Sequence, residues 1–338
     1  MRVGIVGATG YAGLELLRLA ASHPDFEVVV ATGERHAGQR VAHFAPALAA
    51  LYPSLIFAPH DRLEDAAPEL VFAALPHGQS QTIVADLVAR GVAVVDLGAD
   101  FRLKDPAAYS RWYGETHLAP ELLSRAVYGL VERHRSELEG ARLIASPGCY
   151  PTATALALGP FVDHGVVETA TVIVNALSGA SGAGRSPSDR LHFARLAGNA
   201  EAYSLTAHRH TPEMEAELGA SVLFTPHLVP VSRGMLVSAY ARLTSPDTTS
   251  DDAMALLRRV YRDDPFVVVS DEPPTLKDPL GSNLCFVSAR VDPRTGWLIA
   301  MSSLDNLVKG AAGQAIQAWN VASGWPETAG LPRSGVTP

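Results

Sequence analysis

The chain has 338 residues, of which 47% are hydrophobic and 18% charged, and its formal net charge is −8. This length predicts two domains, and the acidic balance disfavours a nucleic-acid partner, because phosphate binding needs clustered Lys and Arg. The two cysteines exclude a disulfide scaffold and a four-cysteine zinc site. No apolar run approaches the roughly 20 residues of a membrane span. Strand-like residues begin directly after Met1, so we expect no leader peptide, no membrane partner and a cytoplasmic location.

The first 150 residues alternate short apolar runs with helical stretches. Strands are predicted at 2–6, 27–32, 70–75 and 92–97, and helices at 14–20 and 82–90. Nearly continuous apolar strands separated by helices indicate a parallel sheet that is covered on both faces. Such a sheet places its functional loops at the carboxyl ends of its strands. The fold class is therefore α/β, with no elements predicted for 34–66.

The pattern becomes β-rich beyond about residue 145. Strands are predicted at 170–177, 236–243, 266–270, 283–291 and 297–302, with a hairpin turn at 292–296 and a helix at 305–320. These elements indicate a β-rich second domain.

A glycine-rich turn, Gly7 to Gly13 (GATGYAG), joins the first strand to the first helix. Glycines at these positions allow a tight turn and let backbone N–H groups approach a pyrophosphate at the positive helix end; the alternative is a tight turn without a ligand. The G-x-x-G-x-x-G spacing favours NADP over NAD, and Arg35 can meet a 2′-phosphate, whereas Glu34 opposes it. The predicted cofactor contacts here are Gly7, Thr9, Gly10, Tyr11, Ala12, Gly13 and Arg35.

Cys149 lies in the segment SPGCYPT, between an apolar run and a helix-like run. At a helix N-terminus the dipole favours a thiolate, and backbone N–H groups can hold an oxyanion. We therefore interpret Cys149 as a nucleophile, the alternative being a buried structural cysteine. Cys285 lies in a strand-like run and is interpreted as core.

Two histidines provide candidates for an acid–base partner. His208 and His210 precede Thr211-Pro212-Glu213, which is typical of a helix start with Thr211 as the N-cap. A positive helix end disfavours imidazolium, which suits a ring that exchanges protons near neutrality. The alternative is a pair of surface histidines that cap a helix.

Other polar segments supply candidates for binding. Pro76 and His77 follow the strand at 70–75 and are expected to line the cofactor site. The loop 178–185 (SGASGAGR) is suited to anions or a close cofactor approach, although a flexible linker has the same composition. Arg102 and Arg233 are candidate clamps for phosphate or carboxylate. No His, Cys, Asp and Glu residues have metal-ligand spacing, so no metal is expected.

These segments together resemble the N-acetyl-γ-glutamyl-phosphate reductase family, which is related to aspartate-semialdehyde dehydrogenase. The resemblance covers essentially the whole chain. It rests on GATGYAG (7–13), LPHG (75–78), ADFRLKD (99–105), PGCYPT (147–152), SGASGAGR (178–185), HRHTPE (208–213) and DNLVKGAAGQAIQ (305–317).

The resemblance implies a Rossmann-type doubly wound parallel sheet in an NADP-binding domain, residues 1–148 and 306–338. It also implies a β-rich α+β catalytic and oligomerisation domain of the glyceraldehyde-3-phosphate/aspartate-semialdehyde dehydrogenase type, residues 149–305. A homo-oligomer, dimer or tetramer, is implied as well.

The resemblance also implies the roles of individual residues. Cys149 would attack an acyl phosphate, and His210 or His208 would be the acid–base group, with His210 favoured. The second-domain contacts of NADP would be Ser181, Gly182 and Asn306, and substrate contacts would come from Arg102, Arg185 and Arg209.

Other functions remain open from the sequence. Family members commonly carry Thr-Ser-Arg after the second strand, where this chain has Thr32, Gly33, Glu34 and Arg35, which leaves the 2′-phosphate contact open. A related branch reduces a carrier-linked aminoadipyl phosphate in lysine biosynthesis, but it tends to depart from the CYPT and TPE sequences found here. A thiol hydrolase and a non-catalytic NADP sensor are the alternatives from other classes.

Overall fold

The structure is a computed structural model and describes residues 1–336. Two compact units are present: residues 1–147 with 311–331, and residues 148–310 with 332–336. The chain thus crosses between the units at 147/148 and at 310/311, where the sequence predicted 148/149 and 305/306. The last described residues, 332–336, group with the second unit, whereas the sequence assigned them to the first.

The first unit contains a parallel sheet, as predicted, and this sheet has six strands. Its strands are β1 (Arg2–Val6), β2 (Glu27–Ala31), β3 (Leu70–Ala73), β4 (Ala93–Asp96), β5 (Val127–Tyr128) and β6 (Leu143–Ala145). The order across the sheet is β2-β1-β3-β4-β6-β5. Because the chain reverses its direction of winding between β1 and β3, the carboxyl ends of these two strands border the crevice in which such sheets bind ligands.

Five helices precede residue 147 in this unit. They are α1 (Tyr11–Ala20), α2 (Val41–Phe44), α3 (Gln81–Ala89), α4 (Pro106–Tyr113) and α5 (Val131–Leu138). Helix α1 begins three residues earlier than predicted, directly after the glycine turn. Local sequence sets the limits of α4: the Asp105 side chain accepts the Ala107 N–H, Pro106 is the first helical residue and Gly114 ends the helix with left-handed φ.

The second unit contains a seven-stranded mixed sheet. Its strands are β7 (Val172–Ser178), β8 (Glu201–Ala202), β9 (Val222–Leu228), β10 (Met235–Arg242), β11 (Val267–Val269), β12 (Cys285–Asp292) and β13 (Trp297–Leu304), in the order β11-β12-β13-β10-β7-β9-β8. Its helices are α6 (Cys149–Asp163), α7 (Phe193–Leu196), α8 (Thr211–Leu218) and α9 (Ser250–Val260). Helix α6 packs on β10 and β13, and α9 packs on β12. Burial alternates along β7 and β10, so one sheet face forms the core with these helices.

The helix predicted at 305–320 begins three residues later in the structure and consists of two consecutive segments. A π-helical turn spans Val308–Ala312, and α10 spans Gly313–Ala322 in the first unit, where it packs against α5. Within residues 1–336, no helix combines the length and the apolar character needed to cross a membrane.

Candidate active site

The glycine turn of the first unit leaves no room for side chains at two positions. Gly7 has a φ of +75°, and a Cβ there would lie 2.4 Å from the Ala74 carbonyl oxygen. A Cβ at Gly13 would lie 2.4 Å from the Gly7 carbonyl oxygen and 2.6 Å from Ala8 Cα. At Gly10 the nearest atom is 3.5 Å away, and this N-cap has no side-chain hydrogen bond to the first turn of α1. The N–H groups of that turn therefore face a cradle that fits a dinucleotide pyrophosphate.

The residues after β2 are held by a neighbouring loop. Thr32 is fully buried, and its Oγ1 lies 2.6 Å from His60 Nδ1. Glu34 Oε1 accepts the His60 N–H at 2.5 Å. Arg35 is exposed. The Glu34 carboxylate is thus tied to the His60 loop, and the contact of Arg35 with a 2′-phosphate stays a prediction.

The turn after β3 carries Pro76 and His77 and lies beside the glycine turn. Ala74, where this turn begins, donates its N–H to the Val6 carbonyl oxygen at 2.8 Å. Gly78 has a φ of +77°, a left-handed conformation that glycine adopts without strain. The structure thus brings the predicted cofactor residues after β1 and β3 to one edge of the sheet.

Cys149 is the first residue of α6 and is partly exposed, in agreement with the predicted helix start. Its N-cap is Gly148, whose N–H donates to Glu213 Oε1 at 2.8 Å. The first turn presents the N–H groups of Cys149 and Tyr150, since Pro151 has none. This geometry places a thiol sulfur and two backbone N–H groups at the positive end of one helix.

The two predicted histidines directly precede α8. The N-cap of this helix is His210, one residue before the predicted Thr211. His208 Nδ1 accepts the His210 N–H at 3.1 Å, so a neutral His208 carries its proton on Nε2. Burial and the charge of Arg209 lower the pKa of His208 to about 4. His208 is therefore neutral at pH 7.

Glu213 connects the thiol helix with the histidine helix. This residue is buried in the first turn of α8, and it binds the backbone of the residue that precedes Cys149. One turn into each helix, Thr154 Oγ1 lies 3.3 Å from Met214 Sδ. The starts of α6 and α8 therefore lie side by side, which brings Cys149 and the histidine pair into one site in the second unit.

A pair of phenols borders this site. The Tyr150 and Tyr203 hydroxyl oxygens lie 2.9 Å apart. The Tyr150 ring packs edge-on against His208 and His210, with centroid distances of 5.4 and 5.7 Å. Burial raises the pKa of both phenols, that of Tyr203 to about 12, and the charge of nearby Cys149 contributes to the rise. Both hydroxyls therefore keep their protons and can donate hydrogen bonds.

Asn306 organises the small-residue loop of the second unit. Its Oδ1 accepts the Gly234 N–H at 2.8 Å, and its Nδ2 donates to Ser181 Oγ at 3.0 Å. A Cβ at Gly182 would lie 2.7 Å from Ser178 Oγ, so the Ser178 side chain would have to move to admit it. The predicted second-domain contacts Ser181, Gly182 and Asn306 are thus neighbours.

The three arginines predicted to bind substrate differ in their surroundings. Arg102 donates Nε to the Ser146 carbonyl oxygen at 2.8 Å and Nη2 to the Leu97 carbonyl oxygen at 2.9 Å. Its guanidinium is therefore held by backbone at the carboxyl edge of the first sheet. Arg185 and Arg209 are exposed in the second unit.

Arg233, considered from the sequence as another clamp, forms an ion pair with the fully buried Asp305 at 3.0 Å. Asp305 also accepts the N–H groups of Gly281 and Leu307, at 2.8 and 2.9 Å. This carboxylate thereby fixes the segment that carries Asn306, a role that sequence reasoning missed.

Sequence reasoning also missed Tyr203 and the contact made by Glu213. Glu213 carried a local signal as an acid in a first helical turn, but its partner Gly148 lies 65 residues away. Among residues 1–336, no group of three or more His, Cys, Asp and Glu side chains has a geometry suited to a metal ion.

Two family descriptions match consecutive parts of the chain. The semialdehyde dehydrogenase NAD-binding domain matches residues 2–141, and the semialdehyde dehydrogenase dimerisation domain matches residues 149–306. The N-acetyl-gamma-glutamyl-phosphate reductase of Symbiobacterium thermophilum is 47% identical over 99% of this chain and 98% of its own length. That of Magnetococcus marinus is 46% identical over 98% of this chain and 97% of its own.

Solved structures agree on the fold. Aspartate semialdehyde dehydrogenase II from Vibrio cholerae superposes with a TM-score of 0.71 at 17% identity, covering 95% of this chain and 97% of that one. Aspartate semialdehyde dehydrogenase with NADP from Candida albicans gives 0.70 at 17% identity, covering 95% of this chain and 98% of that one. These structures confirm the predicted fold class, α/β with a Rossmann-type domain and a mixed-sheet domain.

Proposed function

The chain belongs to the N-acetyl-gamma-glutamyl-phosphate reductase family, and we propose that it reduces N-acetylglutamyl 5-phosphate with NADPH in arginine biosynthesis. The products are N-acetylglutamate 5-semialdehyde and phosphate. The observation that carries the proposal is the position of Cys149 at the start of α6, with the histidine pair held beside it through Glu213. The alternative with a carrier-linked aminoadipyl substrate is not favoured, since the relatives bear the acetylglutamyl name.

The first unit fits the cofactor. The cradle formed by Gly7, Gly10 and Gly13 would hold the pyrophosphate on the N–H groups of α1, with Pro76 and His77 beside it. When bound, NADPH supplies the hydride that reduces the acyl carbon. Ser181, Gly182 and Asn306 are the proposed cofactor contacts from the second unit.

Cys149 divides the reduction into two steps. Its thiolate attacks the acyl carbon, a carbon–sulfur bond forms, and the bond from that carbon to the phosphate oxygen breaks. Phosphate leaves and a thioester remains on Cys149. The thioester accepts hydride far better than a carboxylate does.

The start of α6 and the histidine pair complete the chemistry. The N–H groups of Cys149 and Tyr150 would hold the negative charge that develops on the substrate oxygen. An acid–base group that protonates this oxygen takes the proton back as the carbon–sulfur bond of the adduct breaks, which releases the semialdehyde and the Cys149 thiolate. His208 is a weak base because of its lowered pKa, so His210 is the proposed acid–base group.

The decisive assay follows NADPH absorbance with the acetylglutamyl and aminoadipyl phosphates side by side. We expect the acetylglutamyl substrate to be reduced and the aminoadipyl substrate to react poorly. Cys149→Ser should retain NADPH binding while turnover falls by at least about 10³-fold. Phosphate release without NADPH consumption would instead indicate a thiol hydrolase, and unchanged biological output of the variant would indicate a sensor.

Three finer statements belong to the same proposal. A preference for NADP over NAD rests on the glycine spacing and on Arg35. A homo-oligomer, dimer or tetramer, is supported by the family description of the second domain. The cytoplasmic location agrees with a small-molecule substrate.

A further inference from the structure

Three fully buried side chains form a chain of hydrogen bonds at the carboxyl edge of the first sheet. Asp96 ends β4, Ser80 is the N-cap of α3, and Asp100 follows in the loop after β4. Ser80 Oγ lies 2.7 Å from Asp100 Oδ2 and 3.2 Å from Asp96 Oδ2. One hydroxyl therefore stands between two carboxyl groups.

Asp100 accepts hydrogen bonds at both of its oxygens. Oδ1 accepts the Gly78 N–H at 2.7 Å and the Tyr109 O–H at 2.9 Å, and Oδ2 accepts the Ser80 N–H and hydroxyl at 3.2 and 2.7 Å. Tyr109 in turn accepts Gln81 Nε2 at 2.8 Å, so its own hydrogen is directed to Asp100. Four donors occupy the four acceptor positions of a carboxylate, which makes Asp100 the ionised member.

Asp96 must then supply the remaining hydrogen. The Ser80 hydroxyl has a single hydrogen, and its shorter contact is with Asp100, so the contact with Asp96 needs a hydrogen from Asp96. The other Asp96 oxygen accepts the Gly98 N–H at 3.0 Å. We propose that Asp96 is a neutral carboxylic acid that donates to Ser80 and thereby positions Asp100, which holds the turn 76–80 in place for the cofactor.

The surroundings of Asp96 agree with a retained proton. Burial and the adjacent Asp100 charge raise the pKa of Asp96 to about 7, against smaller opposing effects of the Gly98 N–H, the Arg102 guanidinium and the Ser80 hydroxyl. His117 Nε2 lies 2.9 Å from the Asp100 carbonyl oxygen, and burial lowers the pKa of this imidazole. Glu115 lies on the far side, against Gly78. Among the charges that act on Asp96, the Asp100 carboxylate has the largest effect, and it disfavours a second carboxylate.

Ionising Asp96 would place two buried carboxylates on one hydroxyl. Their repulsion would displace Asp100 from the Gly78 N–H, and Gly78 belongs to the turn that begins beside the glycine cradle. The expected consequence is weaker NADPH binding as the pH rises above about 7. This consequence rests on the proposed function, whereas the location of the proton does not.

Two variants of equal size test the assignment. Asp96→Asn keeps a donor toward Ser80, so its NADPH dissociation constant at pH 6.5 should stay within about threefold of wild type, and this constant should not rise at higher pH. Asp100→Asn replaces the carboxylate, which accepts from the Gly78 N–H and the Tyr109 hydroxyl, by a neutral amide with a single acceptor oxygen. The NADPH affinity of this variant should therefore fall at least about tenfold. In the wild-type protein the constant should rise between pH 6.5 and 8.5. Fluorescence titration with NADPH measures all three.

Infrared spectroscopy supplies a readout that needs no cofactor. The wild-type protein should show at pH 6 the carbonyl-stretch band of a protonated carboxylic acid, and Asp96→Asn should lack this band. The proposal is overturned if the band is unchanged in Asp96→Asn, or if that variant fails to fold or binds NADPH as weakly as Asp100→Asn. A wild-type protein that binds no NADPH refutes the proposed function, while the infrared band still decides where the proton lies.

Discussion

A single methyl group added at Gly10 should separate cofactor binding from stability. The nearest protein atom to a Cβ at this position is the Gly7 carbonyl oxygen at 3.5 Å, an ordinary contact. Replacing glycine by alanine at an N-cap costs about 1 kcal/mol or less of folding free energy. The methyl group would, however, lie at the N–H groups proposed to bind the pyrophosphate. Losing two charge-assisted hydrogen bonds costs at least about 3 kcal/mol, which corresponds to a dissociation constant over about 100-fold higher.

Gly13→Ala is the matched variant that should lose both properties. Its Cβ would lie 2.4 Å from the Gly7 carbonyl oxygen and 2.6 Å from Ala8 Cα. Both are backbone atoms, so the turn itself must move. Overpacking of this kind costs about 1–3 kcal/mol, and occasionally more.

Urea unfolding and fluorescence titration with NADPH, carried out on both variants, provide the two measurements. The expected pattern is near-wild-type stability without binding for Gly10→Ala, and loss of both for Gly13→Ala. Wild-type NADPH affinity in Gly10→Ala would refute the assignment of the glycine turn to the pyrophosphate.

Three further predictions concern the second unit. Glu213→Ala leaves the Gly148 N–H without its buried acceptor, so urea unfolding should show a loss of about 1.5–3 kcal/mol, and kcat should fall because the starts of α6 and α8 separate; Glu213→Gln, which keeps an acceptor oxygen, should retain most of both. The folded-state pKa of His208, about 4, lies below the unfolded value of 6.5, so the unfolded chain binds the proton first as the pH falls. The free energy of unfolding that neutral His208 contributes at pH 7 should therefore be lost between about pH 6.5 and 4, by up to about 3 kcal/mol. Urea unfolding across this range should show a smaller loss in His208→Asn than in the wild-type protein. An equal pH dependence in the two proteins would contradict the assignment. Gly310→Ala would bring its Cβ to 2.8 Å from Cys149 Cβ, so kcat should fall more than NADPH affinity, and unchanged kcat would show that the contact is unimportant.

Strands β1 to β4 of the first sheet were predicted, whereas the short β5 and β6 were not. All four residues of β3, Leu70–Ala73, and of β4, Ala93–Asp96, are buried, which gives runs that are apolar except at the terminal Asp96. Strand β9 was not predicted, because its sequence contains Pro226 and because its apolar residue Leu223 is 53% exposed. Propensity disfavours proline within a sheet, and pairing of β9 with β7 outweighs this local signal.

The candidate site was predictable where its signals are local. The segment around Cys149 indicated a helix start, and the structure begins α6 at that residue. The ion pair of Arg233 with Asp305 joins residues 72 positions apart, and no local pattern records such a pairing. The buried Asp96 likewise ended a predicted strand as an unremarked polar residue, because its role depends on where Ser80 and Asp100 meet it.

Trapping the acyl group on the protein tests the central claim most directly. Wild-type protein mixed with N-acetylglutamyl 5-phosphate in the absence of NADPH should release phosphate in a burst. Intact-mass and peptide mass spectrometry should then locate one acetylglutamyl group on Cys149, and adding NADPH should remove it as semialdehyde. Reduction at the wild-type rate by Cys149→Ser, or an acyl group on any other residue, would contradict the account.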